Sequence, residues 1–305
     1  MNITLKQLRY FIALAEAGSF GVAAARVSIS QPALSLQIKE LETIVGAKLI
    51  DRAPRNLRLT RAGQLLLDHA RRVVSEVGEL EQAMRWRDGL SGRLHLGVIP
   101  TVAPYLLPQA LTRLRSADLT LDIRVREAQT DLLLNGLLSG QLDAAILALP
   151  ILDDRIVSEP LFQDRFLLAG SADRLAQYNE EGGIASPKQV NPAQLLLLDE
   201  GHCLADQALE VCGLSGRRPI VDLGASSLTT LCGLVVEGFG LTLLPEIAVR
   251  TEVSAAPDLA LRRFDEPQPH RTIALCRRAN SRDDGWFADL ADVMRTAGRA
   301  LLQTA

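Results

Sequence analysis

The sequence has no apolar run of the length that crosses a bilayer, because Glu237 interrupts its longest candidate, residues 231–244. The first nine residues alternate polar and apolar side chains, so no secretory signal is expected. Cysteines are few, four in 305 residues, and in a reducing compartment they are normally free thiols. We therefore expect a soluble cytoplasmic protein in which any disulfide is transient or sensory.

Catalytic signatures are also missing. The sequence holds no GxSxG, P-loop, HExxH or dinucleotide-binding glycine pattern. It predicts neither an enzyme nor a bound cofactor. With 48% hydrophobic and 23% charged residues, the chain has the composition of a globular protein of two or three domains.

Charge is distributed unevenly along the chain. Residues 1–65 hold nine Lys or Arg and four Asp or Glu, whereas the remainder holds 24 and 32. A small basic unit followed by a larger acidic one indicates contact with nucleic acid at the amino-terminal end.

The first 45 residues carry the pattern of a helix–turn–helix. Apolar residues recur at helical spacing in Leu5–Ala17, Gly18 ends that helix, and Ser19 caps a second one, Phe20–Arg26. Ser30 caps a third helix, the second of the helix–turn–helix pair, whose amino-terminal residues reach a major groove in such motifs. The side chains expected to contact DNA from this helix are Gln31, Pro32, Ser35 and Lys39.

A basic ribbon follows the third helix. Residues 49–59, LIDRAPRNLRL, resemble two short strands around a Pro-centred tip. Arg52, Arg55 and Arg58 can contact phosphates or the minor groove. Residues 1–59 are thus predicted to form a winged helix–turn–helix that binds DNA.

Residues 60–88 predict a long linker helix. Its apolar residues alternate at spacings of four and three, the pattern of a short coiled coil. Burial of this stripe against the same chain is one outcome. A dimer seam is favoured, because charged side chains occupy the remaining faces of the helix and a dimer suits two half-sites on DNA. The residues of the stripe are Leu66, Ala70, Val73, Val77, Leu80 and Met84.

From residue 89 to the end, apolar strand candidates alternate with helical stretches, which predicts an α/β domain with mainly parallel sheets. Ligands in such sheets gather beyond the carboxyl ends of the strands. The loops at residues 100–101, 129–130 and 200–203 each follow a strand candidate and could converge on one polar pocket. The strand candidates are 94–99, 119–125, 144–149, 166–169, 195–198, 220–223, 241–244 and 272–276.

Two cysteines, Cys203 and Cys212, lie nine positions apart in the segment GHCLADQALEVC. A thiolate is the nucleophilic form of cysteine, and a neighbouring imidazole or hydrogen-bond donor stabilises it. Once oxidised to a sulfenic acid, it condenses with a second thiol to a disulfide. Residues 204–211 lack Gly and Pro and suggest a helix, in which nine steps separate the two Cα atoms by roughly 13 Å. A disulfide needs them within about 7 Å, so bridging these cysteines would change the conformation.

Two other interpretations of this segment stay open at the sequence level. The cysteines can be unrelated buried thiols that pack as small apolar side chains. A metal site of His202, Cys203, Asp206 and Cys212 is the other, although these residues lack the clustered spacing of zinc ligands.

Over nearly its full length the chain resembles the LysR-type transcriptional regulators, and within them the peroxide-sensing members. The general resemblance is carried by residues 5–42, LIDR and LTRAGQ; the specific one by IPTVAPYLLP, EAQT, LDAAILAL, GHCLADQALEVC, SSLTTL and GLTLLP. It implies a winged helix–turn–helix, a linker helix and an α/β regulatory region of two subdomains, similar to periplasmic binding proteins. Those subdomains would comprise residues 89–164 with 268–305, and residues 165–267.

The resemblance also implies roles for single residues. Cys203 would be the peroxidatic cysteine and Cys212 the resolving one. Thr101, Thr130 and His202 would line the peroxide pocket, with the acidic Asp206 beside it.

The implied partners are promoter DNA, hydrogen peroxide, RNA polymerase and a cytosolic thiol reductant. The resemblance also extends the dimer predicted from the linker helix to a tetramer. A regulator that binds an organic effector between the subdomains, and a thiol peroxidase, are the alternatives.

Overall fold

The chain folds as two compact units, Met1–Met84 and Arg85–Ala305. A computed structural model describes residues 2–52, 57–85, 93–117, 122–180, 186–199, 201–214, 225–281 and 283–303. The predicted strand 220–223 and the ribbon tip with Arg55 lie outside these described residues.

The amino-terminal unit is a helix–turn–helix with a two-stranded ribbon. Thr4 and Gln7 cap the first helix reciprocally, Ser19 and Ser30 accept a backbone hydrogen bond at the start of the next two, and Gly18 ends the first in the left-handed conformation. The predicted bounds of the first two helices are confirmed. The elements are α1 (Leu5–Ala17), α2 (Phe20–Arg26), α3 (Gln31–Val45), β1 (Ile50–Arg52), β2 (Leu57–Leu59) and α4 (Arg61–Arg85).

One apolar stripe of α3 forms much of the core of this unit. Leu34, Ile38 and Leu41 recur at spacings of four and three and are almost fully buried, together with Phe11 and Leu14 of α1. Burial of this face directs the opposite face of α3 to solvent.

The carboxy-terminal unit alternates strands and helices around one sheet. Its elements are β3 (Arg93–Val98), α5 (Ala103–Ala117), β4 (Asp122–Glu127), α6 (Thr130–Leu138), β5 (Ala144–Ala148), β6 (Ile156–Ser171), α7 (Ala172–Glu180), α8 (Cys203–Val211), α9 (Leu228–Val236), β7 (Thr242–Pro245), α10 (Glu246–Ala255), β8 (Leu259–Arg262), β9 (His270–Arg278) and α11 (Trp286–Leu302).

The sheet is mixed, and the expectation of mainly parallel sheets was wrong. Its order is β4-β3-β5-β9-β6-β7, with β8 also paired to β6. Among the strands that the structure describes, β4, β3 and β5 run parallel, and α5 and α6 connect them as crossovers. The other strand pairs are antiparallel, because β9 returns between β5 and β6. The predicted strand 195–198 is reduced to isolated bridges at Leu195 and Leu198.

Strand β6 is the longest strand and has two sets of partners. Residues 156–165 pair with β9, whereas residues 166–171 pair with β7 and β8. The proposed division into two subdomains, at residues 164–165 and 267–268, stays a prediction. Along the described ranges, no helix combines the length and apolarity that crossing a bilayer requires.

Candidate functional site

Helix α8 begins at one cysteine of the predicted pair and ends directly before the other. Cys203 is its first residue, His202 is the N-cap and Cys212 the C-cap. The predicted helix over residues 204–211 is therefore confirmed. All four cysteines are free thiols, and nine helical steps place the Cα atoms of this pair roughly 13 Å apart, well beyond the reach of a disulfide.

The two thiols occupy different environments. Cys203 is half-buried at the amino-terminal end of α8, where the helix dipole favours a negative charge. Cys212 is buried, and this burial raises its thiol pKa to about 11. The side chains of Leu204 and Ala208 between them are buried in the core. In the helical state Cys212 is consequently a poor nucleophile.

Three loops lie beyond the carboxyl ends of the parallel strands. Thr101 follows β3, Gln129 and Thr130 follow β4, and Leu149 follows β5. Since the strand order is β4-β3-β5, the loop of Thr101 lies between the other two. This edge is where ligands gather in sheets of this kind.

Helix α8 and its preceding turn contact the two outer loops. Gly201 has a φ of +91°, and a Cβ there would lie 2.7 Å from Oε1 of Gln129, so the Gln129 amide packs directly on the glycine. One turn after Cys203, the Nε2 of Gln207 donates a hydrogen bond of 3.1 Å to the Leu149 carbonyl. The amino-terminal turns of α8 thus span the same sheet edge as Thr101 and Thr130.

Hydrogen-bonding groups with spare capacity lie at this edge. Nη1 of Arg271 donates to Oγ1 of Thr101 at 2.8 Å, and because a guanidinium only donates, the Thr101 hydroxyl keeps its own proton to donate elsewhere. Oγ1 of Thr130 and Oε1 of Gln207 are buried without a hydrogen-bond partner among the described residues. Burying such a group unpaired costs about 1–3 kcal/mol, which favours a site for a small polar molecule.

Arg271 is fixed in turn by Asp164. Both side chains are almost fully buried, and Nη2 of Arg271 lies 2.9 Å from Oδ2 of Asp164. Burial raises the pKa of Asp164, and the Arg271 charge opposes this shift. Sequence reasoning missed Arg271 and Gln207, because an arginine beside an apolar strand and a glutamine on a helix give no local signal of a shared site.

The two remaining predicted pocket residues differ in exposure. The His202 side chain is buried, although it makes no capping hydrogen bond to α8. Asp206 is exposed in the first turn of the helix, where an acidic side chain complements the helix dipole. Within the described ranges, no three His, Cys, Asp or Glu side chains are grouped in a way that would hold a metal ion.

The predicted DNA-contacting residues of α3 lie on its outer face. Gln31, Pro32 and Lys39 are exposed and Ser35 is half-buried. On the ribbon, Arg58 is exposed on β2 and Arg52 lies in β1, while Arg55 is outside the described residues. The apolar Leu36, 56% exposed, shares this face and is available to contact a thymine methyl group.

The predicted dimer stripe of α4 divides between two environments. Leu66 and Ala70 pack against Leu8 and Ile12 of α1, and Val74, which the predicted stripe left out, is also buried there. Farther along, Val77 is half-buried, while Val73 and Leu80 are exposed. The last residue of the stripe, Met84, lies in the final turn of α4. Dimerisation through the exposed part stays a prediction.

A helix–turn–helix unit followed along the chain by a separate α/β unit is the architecture of a DNA-binding transcriptional regulator. The chain belongs to the LysR family: residues 5–64 match the model of the bacterial regulatory helix-turn-helix protein, lysR family, and residues 87–299 match the LysR substrate binding domain.

Relatives within that family carry names that refer to hydrogen peroxide. The chain is 41% identical to the probable hydrogen peroxide-inducible genes activator of Streptomyces viridosporus, over 98% of this chain and 95% of that one. It is 40% identical to the DNA-binding transcriptional dual regulator OxyR of Escherichia coli K12, over 97% and 95%. Among solved structures it is similar to a cysteine mutant of Corynebacterium glutamicum OxyR bound to H2O2, with a TM-score of 0.61, 34% identity and coverage of 100% and 97%.

Proposed function

We propose that this chain is a peroxide-sensing transcriptional regulator whose sensor is Cys203. The observation that carries the proposal is the sheet edge itself. A half-buried thiol begins α8 there, and two buried hydrogen-bonding atoms lie at the same edge without a partner among the described residues: Oγ1 of Thr130 at the start of α6 and Oε1 of Gln207 on α8. The chain matches relatives named as hydrogen peroxide-inducible genes activators over nearly its full length, and these names support the same function.

Hydrogen peroxide fits the polarity of this edge. The molecule has two hydroxyl donors and several lone pairs, and the site offers matching groups of both kinds. The Thr101 hydroxyl donates, the Gln207 carbonyl oxygen accepts, and the Thr130 hydroxyl can do either. His202 and Asp206 complete the surroundings of Cys203. Because peroxide is small and neutral, selectivity arises from hydrogen bonds that strengthen as the O–O bond breaks.

In the first step the Cys203 thiolate attacks one peroxide oxygen. The S–O bond forms, the O–O bond breaks, and the departing hydroxide takes up a proton to leave as water. The sulfur is oxidised to a sulfenic acid and the peroxide is reduced.

In the second step the Cys212 thiolate attacks the sulfenic sulfur. The S–S bond forms, the S–O bond breaks, and the hydroxide again leaves as water. One peroxide and two thiols therefore give one disulfide and two water molecules. With its Cα roughly 13 Å away along α8 and its thiol pKa raised by burial, Cys212 reacts only after α8 unravels.

The loss of α8 is the signal in this proposal. The remodelled segment changes how the regulatory units pair in a homo-oligomer, a dimer through α4 or a tetramer, and thereby alters promoter occupancy and the response of RNA polymerase. A cytosolic thiol reductant restores the thiols. Oxidation therefore switches this cytoplasmic protein between two DNA-binding states. The protein acts as a regulator and not as a peroxidase that consumes peroxide catalytically.

Substitution of each cysteine tests the proposal on a promoter fragment. Footprints of the full chain are compared before and after micromolar peroxide, and mass spectrometry follows the thiols. Cys203→Ser is expected to keep DNA binding and lose the peroxide-dependent change, and Cys212→Ser is expected to stop at the sulfenic acid. Cys276→Ser, which replaces a buried thiol of β9, is the matched control and should respond normally. A peroxide-dependent footprint in Cys203→Ser would contradict the proposal.

A further inference from the structure

A second buried polar cluster lies on three helices outside the candidate site. Glu252 of α10 is 2% exposed, and its Oε1 accepts two hydrogen bonds. One comes from the Tyr105 hydroxyl of α5, at 2.6 Å, and the other from Oγ1 of Thr229 of α9, at 3.2 Å. A buried carboxyl group without such partners is strongly destabilising, and these hydrogen bonds connect the three helices at this point.

The phenol of Tyr105 acts as a fixed donor in this cluster. Burial and the hydrogen bond to Glu252 hold the pKa of Tyr105 well above its usual range. The hydroxyl thus keeps its proton and points it at the carboxyl oxygen. This contact holds the first turn of α5 against α10.

Tyr105 follows Thr101 by four residues, and the short segment between them is held at both ends. At one end Arg271 donates to both Oγ1 and the carbonyl oxygen of Thr101. At the other end Tyr105 is held by Glu252. Backbone hydrogen bonds from Val102 and Tyr105 make the segment a continuous turn into α5. The position of the Thr101 hydroxyl therefore depends on both anchors.

Both anchors lead to the same helix. Arg271 pairs with Asp164, and Oδ1 of Asp164 accepts a hydrogen bond of 3.0 Å from the backbone of Ile247, the second residue of α10. Glu252 lies farther along α10. The contacts form a closed ring: they run from Thr101 through Arg271 and Asp164 to α10, and from Glu252 of α10 through Tyr105 back to the turn that holds Thr101. Helix α10 therefore fixes the position of Thr101 from both sides.

We propose that Glu252, acting through Tyr105, is a positioning residue for the reaction of Cys203 with peroxide. It fixes the turn after β3 so that the Thr101 hydroxyl meets the peroxide oxygen that leaves. The inference rests on the proposed function and adds a residue that does not touch the peroxide. When a substitution away from the reacting atoms displaces a positioned group such as the Thr101 hydroxyl by about 1 Å, the reaction can slow about 100-fold.

The test compares two reagents on the full-length reduced chain. Peroxide reacts through the positioned hydroxyl of Thr101, whereas iodoacetamide requires only an accessible Cys203 thiolate. Tyr105→Phe and Glu252→Ala should slow the second-order oxidation of Cys203 by roughly 10- to 100-fold and leave its alkylation within about twofold of wild type. Glu252→Gln keeps an oxygen that accepts the Tyr105 hydrogen bond. Unlike Glu252→Ala, it should oxidise at a rate within about threefold of wild type.

Thr229→Val is the matched control, since it removes the other donor to the same carboxyl oxygen without touching the Thr101–Tyr105 turn. It should oxidise as the wild type does. Wild-type rates in Tyr105→Phe, equal slowing of both reagents, or slowing in Thr229→Val as large as in Tyr105→Phe would each overturn the inference. If Glu252→Ala does not fold, Tyr105→Phe alone decides, because it keeps the ring. Failure of peroxide to oxidise Cys203 in the wild-type chain would instead overturn the proposed function.

Discussion

If the disulfide can form only after α8 unravels, weakening the docking of α8 must accelerate the second step of oxidation. Leu204 is the suitable position, because it follows Cys203 and is only 3% exposed in the core. Leu204→Ala at a buried site costs about 2–5 kcal/mol. If the opened segment lacks these contacts, the substitution raises the free energy of the helical state alone. Even about 2 kcal/mol raises the opened fraction roughly 30-fold.

Rapid mixing with excess peroxide separates the two steps. The loss of the Cys203 thiol depends on peroxide concentration, whereas conversion of sulfenic acid to disulfide does not, and mass spectrometry of quenched samples resolves both. For Leu204→Ala we expect the second rate to rise roughly 30-fold, up to the limit set by the chemistry. The reduced form is destabilised relative to the disulfide, so the reduction potential should become about 40 mV more negative.

Leu290→Ala distinguishes local from global destabilisation. Leu290 is fully buried in α11, so its truncation lowers the stability of the unit without acting on the docking of α8. It should leave the disulfide-forming rate unchanged. If Leu204→Ala lowers stability as Leu290→Ala does and yet forms the disulfide at the wild-type rate, then α8 need not unravel before Cys212 reacts.

Three further outcomes are expected. At pH 8 iodoacetamide should label Cys203 first, as mass spectrometry of brief exposures can show, because the pKa of about 11 for Cys212 and Cys276 leaves roughly one thiol in a thousand ionised. Burial also raises the pKa of Cys232 to about 12. Because folding opposes ionisation of these three thiols, their contribution to stability is fully present below about pH 9 and should be lost as the pH rises from there toward about 12. Urea unfolding at several pH values can measure this loss. Ser30→Ala removes the side-chain cap of α3 and should lower the stability of the amino-terminal unit by about 1 kcal/mol, measured by amide hydrogen exchange.

Elements with local signals could be predicted from the sequence. The bounds of α1 and α2 follow from Ser19, Gly18 and the spacing of their apolar residues, and α8 follows from a stretch without Gly or Pro. The spacing of Cys203 and Cys212 indicates the cysteine pair, and Thr101 and Thr130 stand out because each follows a predicted strand. Their proximity at one sheet edge was inferred from the strand–loop pattern, whereas their proposed roles rest on a family resemblance.

Features that depend on distant partners could not be predicted. Strand β6 has 16 residues, but only residues 166–169 have the apolar pattern of a buried strand, because its first half is partly exposed and contains Pro160. Strand β9 pairs antiparallel with β5 and β6 because the chain returns to the sheet from distant residues. The direction of this pairing produces no periodic pattern in the sequence. Hydrogen bonds such as those from Arg271 to Thr101 and from Tyr105 to Glu252 join residues more than a hundred positions apart.

The brevity of α8 has its own consequence. A helix of nine residues is shorter than the roughly 12–15 residues that an isolated helix needs to persist in water. Detached from the sheet edge, it has no stable helical form of its own, so undocking and melting are one event. Each molecule would therefore be either reduced with α8 docked or oxidised with α8 unfolded, with no stable state between them. A graded cellular response to oxidant would then reflect the fraction of molecules in the oxidised state.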